Sequence, residues 1–370
     1  MQMMGIIFSN IFDESLGELS ARRTLASIPF GGRYRLIDFV MSNMVNSGIT
    51  NVGVITKQNY QSLMDHLGSG KEWDLDRKVD GLFILPPFGV GQKSIYRGKI
   101  EALLGVLRFL ERSNEEYVLL SDSNNICNID FRDMLKRHIK SGAEISIITK
   151  KETIRGSADI KDLVIRSNMN GEVVDALIQY KIPGVADCGM GMYIMRRQFL
   201  IELLEEARSY SLIDFEREII QAKHSYIKMA NLEFAGRVLR INHVTGYFEA
   251  NMALLSPEIR DEIFFKNGPV YTKIRDEVPT RYEVGSTVKN SLIADGCVIL
   301  GEVENSVLFR GVKVGKGACV KNSVLMQETE IEENVVLDYV IADKDVTVSK
   351  DRLLMGAPEH QIIIGKGKRV

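Results

Sequence analysis

The chain has 370 residues, of which 45% are apolar and 26% are charged, and its formal net charge is −2. One hydrophobic core seldom serves a chain of this length, so we expect two domains. The small net charge excludes a general attraction to nucleic acid or to anionic membranes, and any anion site must come from a local basic cluster. No apolar run approaches the roughly 20 residues that span a bilayer. The first ten residues resemble a first strand rather than a signal peptide.

Cysteine and histidine spacing gives no sign of a disulfide framework or a metal site. The four cysteines are far apart and form no CxxC pair, and the five histidines lack metal-ligand spacing. This pattern favours reduced, buried cysteines and a cytoplasmic location. The residues concerned are Cys127, Cys188, Cys297, Cys319, His66, His138, His224, His243 and His360.

The apolar run GIIF (5–8) leads into the loop FSNIFDESLGELS. Nucleotide-binding α/β proteins place glycines after such a strand, so that backbone N–H groups can reach a phosphate. This loop instead contains Phe12, Asp13 and Glu14, with a single glycine at Gly17. An acidic, bulky loop is poorly suited to binding a triphosphate.

Short apolar runs alternate with amphipathic segments up to about residue 255. The runs 5–8, 51–57, 117–122 and 143–150 have the composition of buried parallel strands. The segments 35–48, 99–113 and 130–142 show helical periodicity, and the last ends at Gly142 as a glycine C-cap. The alternation predicts a Rossmann-like α/β domain with a mostly parallel sheet, whose ligands bind at the carboxyl ends of the strands.

A different pattern begins after residue 268. Related phrases, VKNSLI, VENSVL, VKNSVL and VLDYVI, start at residues 288, 303, 320 and 336. A period of about three hexapeptides is typical of a parallel β-helix, whose coils bury one aliphatic side chain per face and turn at glycines. Ordinary β-hairpins are the alternative, but they give no reason for a repeated VxNS.

Residues 28–56, IPFGGRYRLIDFVMSNMVNSGITNVGVIT, resemble the PFGGKYRIIDF signature of glucose-1-phosphate adenylyltransferases, also called ADP-glucose pyrophosphorylases. Residues 95–104, 191–195 and 214–220 resemble that family's WYRGTADA, GIYVF and DFGKDLI segments. The resemblance covers essentially the whole chain. It implies a nucleotidyltransferase (GT-A-like) domain over residues 1–267, then a linker and a left-handed β-helix over 268–370. It also implies an activity that makes ADP-glucose and pyrophosphate from ATP and glucose 1-phosphate.

The chain departs from the family at the positions that carry its chemistry. The family's GGRGTRL loop aligns with residues 10–16, where both glycines are lost and its arginine is replaced by Ser15. The lysine of its AKP motif falls on Leu25, and its two magnesium-binding aspartates fall on Asn124 and Arg240. Its sugar-binding EKP segment maps to residues 178–180.

These departures predict a subunit with no catalytic residues, no metal site and no cofactor of its own. Each missing charge-stabilising group costs about 10²-fold to 10³-fold in rate. The resemblance therefore implies the family's non-catalytic, D-type subunit of bacterial glycogen biosynthesis. We expect it to form a heterotetramer with a catalytic paralogue, through which alone Mg²⁺ enters the reaction, and to regulate that paralogue.

A basic cluster remains, formed by Arg22, Arg23, Arg33 and Arg35. The resemblance implies that it binds a sugar-phosphate or nucleotide effector, since arginines form forked hydrogen bonds with phosphate. A solvated surface or intersubunit ion pairs are the alternatives. Tyr96, Arg97 and Gly98 keep the family's YRG, either as scaffold or as a residual sugar-nucleotide pocket.

Three other functions remain open. The first is an active adenylyltransferase with rearranged metal ligands, in which Asp122 takes over from Asn124. The second is a hexapeptide acyltransferase, although residues 284–348 contain no histidine that could act as a base. The third is a sensor that binds sugar phosphates or nucleotides without a catalytic partner.

Overall fold

The computed structural model describes residues 2–9, 13–87, 96–155 and 161–370, without the side chains of residues 13 and 14. Its N-terminal part is built on a nine-stranded sheet in the order β10-β9-β11-β6-β1-β4-β5, in which β8 also pairs with β11 and β12 pairs with β8. The strands of this sheet are β1 Met3–Phe8, β4 Asn51–Ile55, β5 Gly81–Leu85, β6 Tyr117–Asp122, β8 Ile145–Ile154, β9 Lys161–Ser167, β10 Val173–Tyr180, β11 Gly184–Arg196 and β12 Met229–Glu233. Two short antiparallel pairs accompany it: β2 Pro29–Phe30 with β3 Tyr34–Arg35, and β7 Asn125–Ile126 with β13 Leu239–Arg240.

The α/β class and the mostly parallel sheet are confirmed: among the described strands of this sheet, β10 and β11 alone run against the direction of the others. Strands β6, β1, β4 and β5 run parallel, as the alternating sequence pattern predicted. Strand β11 runs antiparallel to β6, β8 and β9, and β12 runs parallel to β8. The segment from residue 161 to 196, which contains β9, β10 and β11, therefore adds antiparallel pairs beside the parallel strands.

Helices form over the three predicted segments, 35–48, 99–113 and 130–142, and also in parts of the chain for which no helix was predicted. The helices are α1 Leu36–Asn46, α2 Gln61–Leu67, α3 Lys99–Gly105, α4 Leu107–Arg112, α5 Phe131–Ser141, α6 Arg197–Ser209, α7 Val244–Ala253 and α8 Pro257–Phe265. Helix α5 ends at Gly142 with φ 61°, the left-handed C-cap that the sequence predicted. The predicted helix over 99–113 is two helices, because the backbone leaves the helical region at Val106.

The C-terminal part is a left-handed β-helix of three parallel five-stranded sheets. One sheet contains Arg281–Tyr282, Val298–Ile299, Lys313–Val314, Glu330–Ile331 and Thr347–Val348. The second contains Thr287–Lys289, Glu302–Glu304, Cys319–Lys321, Val336–Asp338 and Leu353–Met355. The third contains Leu292–Ile293, Val307–Leu308, Val324–Leu325, Val340–Ala342 and Ile362–Ile364. Parallel pairing between coils, such as Val303 with Val320, reproduces the spacing of the sequence repeat.

The repeated VxNS phrase has a structural explanation. Asn290, Asn305 and Asn322 turn the chain with φ between 41° and 46°, a region that asparagine tolerates better than most residues. The serine that follows bonds to the next coil: Ser306 Oγ accepts from the backbone N–H of Ser323 at 3.1 Å, and Ser323 Oγ accepts from that of Val340 at 3.2 Å. The sequence pattern predicted glycine at the corners of the coils, but asparagine forms this corner.

The two parts pack together through a shared apolar core. Leu16, Leu25 and Phe248 from the first part meet Phe309 and Met326 from the β-helix. Between the described residues no disulfide forms: Cys127, Cys188 and Cys297 are buried free thiols and Cys319 is half-buried. None of the described helices is both long and apolar enough to cross a membrane.

Candidate functional site

A pocket of about 220 Å³ opens at the carboxyl end of β6. Its lining includes Lys99, Asp122, Asn124, Asp162, Glu216 and Arg240. Strand β6 delivers Asp122, the β7–β13 pair delivers Asn124 and Arg240, and a π-helical turn over Glu216–Gln221 delivers Glu216. The pocket lies where ligands of α/β sheets bind.

Asn124 and Arg240, which the resemblance places at the family's metal positions, both bond to neighbouring side chains in this pocket. Asn124 Nδ2 donates to Asn242 Oδ1 at 2.5 Å, and Asn125 Nδ2 donates to Asn124 Oδ1 at 2.9 Å. Arg240 Nε donates to Glu152 Oε1 at 2.6 Å. A neutral amide and a cation thus occupy two positions where carboxylates would bind Mg²⁺.

Asp122, the carboxylate that could replace them, is bound by a lysine. Lys99 Nζ lies 2.9 Å from Asp122 Oδ2 and also donates to Glu216 Oε1. Tyr193 OH donates to the same Glu216 oxygen at 2.9 Å. Gly191 allows the close packing, since a Cβ there would stand 2.0 Å from Asp122 Oδ2.

Burial and the neighbouring charges shift the pKa values of Lys99 and Asp122. Burial alone would lower the pKa of Lys99, but attraction to Asp122 and Glu216 outweighs it and holds that pKa above its usual range. Burial raises the pKa of Asp122 to about 7, although Lys99 opposes the shift. Lys99 is therefore the firmly charged member of the group.

The described residues do not fit a divalent cation. No group of three or more His, Cys, Asp or Glu side chains in the described ranges is arranged to hold a metal ion. Asp162, an exposed acid in the pocket lining, accepts from Asn242 Nδ2 at 3.1 Å and lies near Arg240. Mg²⁺ prefers a cluster of oxygen ligands without a neighbouring cation.

Of the segment that the resemblance places at the phosphate position, the structure describes the side chains from Ser15 onward. Residues 10–12 and the side chains of Asp13 and Glu14 lie outside the described residues, while Ser15 is exposed. Leu16 and Leu25 are buried in the shared core, with 0% and 1% of their surface exposed. Glu18 pairs with Lys368 at 3.1 Å, near the C-terminus. Leu25 stands where the resemblance puts the family's phosphate-binding lysine, and its buried, apolar side chain offers no charge to a phosphate.

The residues of YRG are mostly structural. Tyr96 OH donates to the carbonyl of Thr56 at 2.5 Å, and exposed Arg97 pairs with Glu101. Gly98 lies so close to Ile213 that a Cβ would stand 2.3 Å from its carbonyl oxygen. The structure brings Lys99, the next residue, into the pocket rather than this triplet. Of the mapped sugar segment, Ile178 and Gln179 line the pocket, and Tyr180 packs beside it.

The arginine cluster separates into different environments. Arg22 is exposed, and Arg23 is buried in an ion pair with Asp343 of the β-helix at 2.5 Å. Arg33 and Arg35 line a cavity of about 190 Å³ between the two parts of the chain. The Gly31–Gly32 turn, with φ of 59° and 86°, carries the chain into this boundary.

This second cavity is strongly cationic. Its charged lining contains six Lys and Arg residues but only the carboxylates of Glu328 and Asp345; the cations are Arg33, Arg35, Lys273, Arg275, Arg310 and Lys344. Among the described residues, the buried Arg310 Nε has no hydrogen-bond partner. Such a group favours an anion.

The surroundings lower the pKa of several of these cations. Burial lowers the pKa of Arg35 to about 10. Burial, with repulsion from Arg35 and Arg23, lowers the pKa of Lys344 to about 7. The pKa of Arg310 also falls, through burial and repulsion from Arg33. A bound anion would relieve this repulsion.

Several of these residues were not identified in the sequence. Lys99 stands at the threonine of the family's WYRGTADA, and Glu216 stands at the glycine of DFGKDLI, so the resembling segments contained the signal. Lys273, Arg275, Arg310 and Lys344 lie far from the arginine cluster in sequence, and only the packing of the two parts brings them together.

Two families match different parts of the chain. Residues 14–157 match the nucleotidyl transferase family. Residues 278–360 match the GlmU-like C-terminal hexapeptide family. Both matches agree with the two-part fold.

The chain is also similar, over most of its length, to individual known proteins. The chain is 37% identical to a glycogen biosynthesis protein GlgD of Bacillus subtilis over 99% of this chain and 96% of the relative. It is 38% identical to GlgD of Geobacillus stearothermophilus, over 86% of this chain and 83% of the relative. A glucose-1-phosphate adenylyltransferase of Fervidobacterium nodosum is 32% identical over 96% of this chain and 85% of the relative. The chain belongs to the family of glucose-1-phosphate adenylyltransferases and GlgD glycogen biosynthesis proteins.

Proposed function

We propose that this chain acts in glycogen biosynthesis as a regulatory, catalytically deficient subunit of glucose-1-phosphate adenylyltransferase. The observation that carries the proposal is the pocket itself, in which Asn124 and Arg240 are tied into hydrogen bonds and ion pairs with neighbouring side chains. Adenylyl transfer needs the phosphate charge to be neutralised, usually by metal-bound carboxylates and arginine. The similarity to GlgD and to adenylyltransferases supports the pathway.

The proposed partner is a catalytic paralogue, with which the chain forms a heterotetramer. A partner changes activity only by binding one conformation of the catalytic subunit better than another. The cationic cavity supports a further part of the proposal: an anionic effector, such as a sugar phosphate or a nucleotide, binds at Arg33 and Arg35 and alters that preference.

The test is ADP-glucose synthesis from ATP and glucose 1-phosphate with Mg²⁺. We compare this chain alone, a catalytic paralogue from the same genome alone, and the two co-purified, at equal concentration of catalytic subunit. We expect no turnover above background from this chain, and a higher rate or a lower KM for the pair. Sedimentation of the pair reports whether a heterotetramer forms.

Two results would contradict the proposal. Turnover by the isolated chain that disappears in Asp122→Asn would establish an enzyme with rearranged ligands. A pair whose kinetics equal those of the catalytic subunit alone, although the two cosediment, would remove the regulatory role.

A further inference from the structure

The ammonium of Lys99 lies among carboxylates and aromatic rings, which all attract a cation. Besides the carboxylates of Asp122 and Glu216, it faces the rings of Phe8 and Tyr193 at 5.4 and 5.6 Å from their centroids. Aromatic faces attract cations through their quadrupole, most strongly where water is excluded. Lys99 exposes only 6% of its surface.

The fold fixes every member of this enclosure on a separate element. Phe8 and Asp122 are paired neighbours at the ends of β1 and β6. Tyr193 lies on β11, opposite Leu120 of β6, and Lys99 is the first residue of α3. Glu216 begins the π-helical turn. The position of the ammonium is therefore determined by strands of the sheet, by α3 and by the π-helical turn.

We propose that Lys99 is a built-in cation that holds Asp122 and Glu216 together, so that this pocket keeps its charge balance without a divalent metal. The buried carboxylate of Asp122 and the half-buried one of Glu216 share a cation, and one supplied by the chain removes the need for an ion from solution. Mg²⁺ would have to displace the ammonium from a buried ion pair before it could reach Asp122 Oδ2.

This inference does not depend on the regulatory role. It concerns the metal affinity of the isolated chain, measured without substrate or partner, so a failed activity test leaves it standing and its own failure leaves the regulatory role standing. It bears directly on the rival in which Asp122 recruits a metal.

The first experiment titrates Mn²⁺ into the purified chain and measures free Mn²⁺ by electron paramagnetic resonance. Surface acids bind some Mn²⁺, and Asp122→Asn is the matched control for that background. We expect the wild-type chain and Asp122→Asn to bind the same amount across the millimolar range. One extra equivalent bound by the wild-type chain and absent in Asp122→Asn would overturn the proposal.

The second experiment removes the cation with Lys99→Met, which keeps an unbranched side chain of similar length. Loss of one partner from a buried charge pair should lower the unfolding midpoint by about 5 °C in EDTA. Added Mn²⁺ should raise that midpoint more in Lys99→Met than in the wild-type chain, because a metal can now approach the carboxylates. An unchanged midpoint in Lys99→Met would contradict the role.

A third variant covers the case in which Lys99→Met does not fold. The triple variant Lys99→Met, Asp122→Asn, Glu216→Gln removes all three charges together, so no buried charge is left without a partner. We expect it to fold and to show no response to Mn²⁺ beyond that of Asp122→Asn. If the triple variant were as destabilised as Lys99→Met, the loss of stability would come from the shape of the lysine side chain and not from its charge.

Discussion

Arg22 and Arg23 are neighbours in sequence but have different surroundings. Arg22 is exposed. Arg23 is 4% exposed and forms two hydrogen bonds with the carboxylate of Asp343, at 2.5 and 2.7 Å, across the boundary between the two parts of the chain. The predicted effector cluster therefore includes one arginine whose guanidinium is already bound by an acid.

We expect Arg23→Met to lower the free energy of unfolding by about 3–5 kcal/mol, because it leaves the buried Asp343 without its cation. Arg22→Met is the matched control and should have little effect. Urea denaturation followed by circular dichroism measures both. If Arg23→Met with Asp343→Leu is no more stable than Arg23→Met alone, the ion pair does not explain the loss.

Residue identity alone predicted part of the candidate site. The losses at Ser15, Leu25, Asn124 and Arg240 could be read from short motifs, because each motif places one residue type at one position. Lys99 could not be understood in the same way. Its carboxylate partners, Asp122 and Glu216, are 23 and 117 residues away in sequence, and only the folded chain brings them to its ammonium.

Single coils of the β-helix explain the repeated VxNS at the scale of an element. The valine fills the interior, the asparagine turns the corner with positive φ, and the serine hydroxyl accepts a backbone N–H from the next coil. Ser306 and Ser323 are completely buried, so these hydroxyls satisfy backbone groups that water cannot reach. The polar residues of this motif therefore help to hold successive coils of the β-helix together.

The asparagine corner gives a prediction at this scale. We expect Asn305→Ala to be less stable than Asn305→Gly by about 1–2 kcal/mol, because the φ of 46° is unfavourable for a residue with a Cβ and free for glycine. Both variants lose the same hydrogen bond from Asn290, so their difference isolates the backbone. Thermal unfolding measures it, and equal midpoints would show that the coil relaxes without strain.

Periodicity predicted the elements better than their directions. The stripe along residues 102–110 is buried as expected, yet the helix breaks at Val106, which apolar spacing does not reveal. The reversed strands β10 and β11 were not expected, because strand direction depends on connections and not on composition. The β-helix was predictable because its repeat is written directly in the sequence.

At the scale of the whole molecule, the cationic cavity exists only where the two parts meet. Arg33 and Arg35 come from the first part, and Arg310 and Lys344 come from the β-helix. An anion bound there would contact both and would favour their packed arrangement, which is how a small ligand could influence a distant interface. The low pKa of Lys344 gives a way to examine this cavity without knowing the effector.

Sulfate is the appropriate probe, since it stays a dianion throughout the range of the experiment. In the free chain the pKa of Lys344 is lowered from its ordinary value of 10.5 to about 7 by burial and by Arg35 and Arg23. Sulfate favours the protonated lysine and so must raise that pKa, and binding therefore takes up a proton. Affinity should consequently be highest near pH 7 and fall as the pH rises toward 9, by about tenfold for each unit by which sulfate raises the pKa.

Isothermal titration calorimetry between pH 7 and 9 measures this dependence, and that range avoids His66, whose pKa lies below 6.5. Lys344→Met should bind sulfate more weakly at pH 7, with an affinity that no longer changes with pH. Lys350→Met is the control, because that lysine lies outside the cavity, and it should keep the wild-type profile. A profile that remains steep in Lys344→Met would assign the titration to another group, and the absence of sulfate binding at pH 7 would show that these cations do not form an anion site.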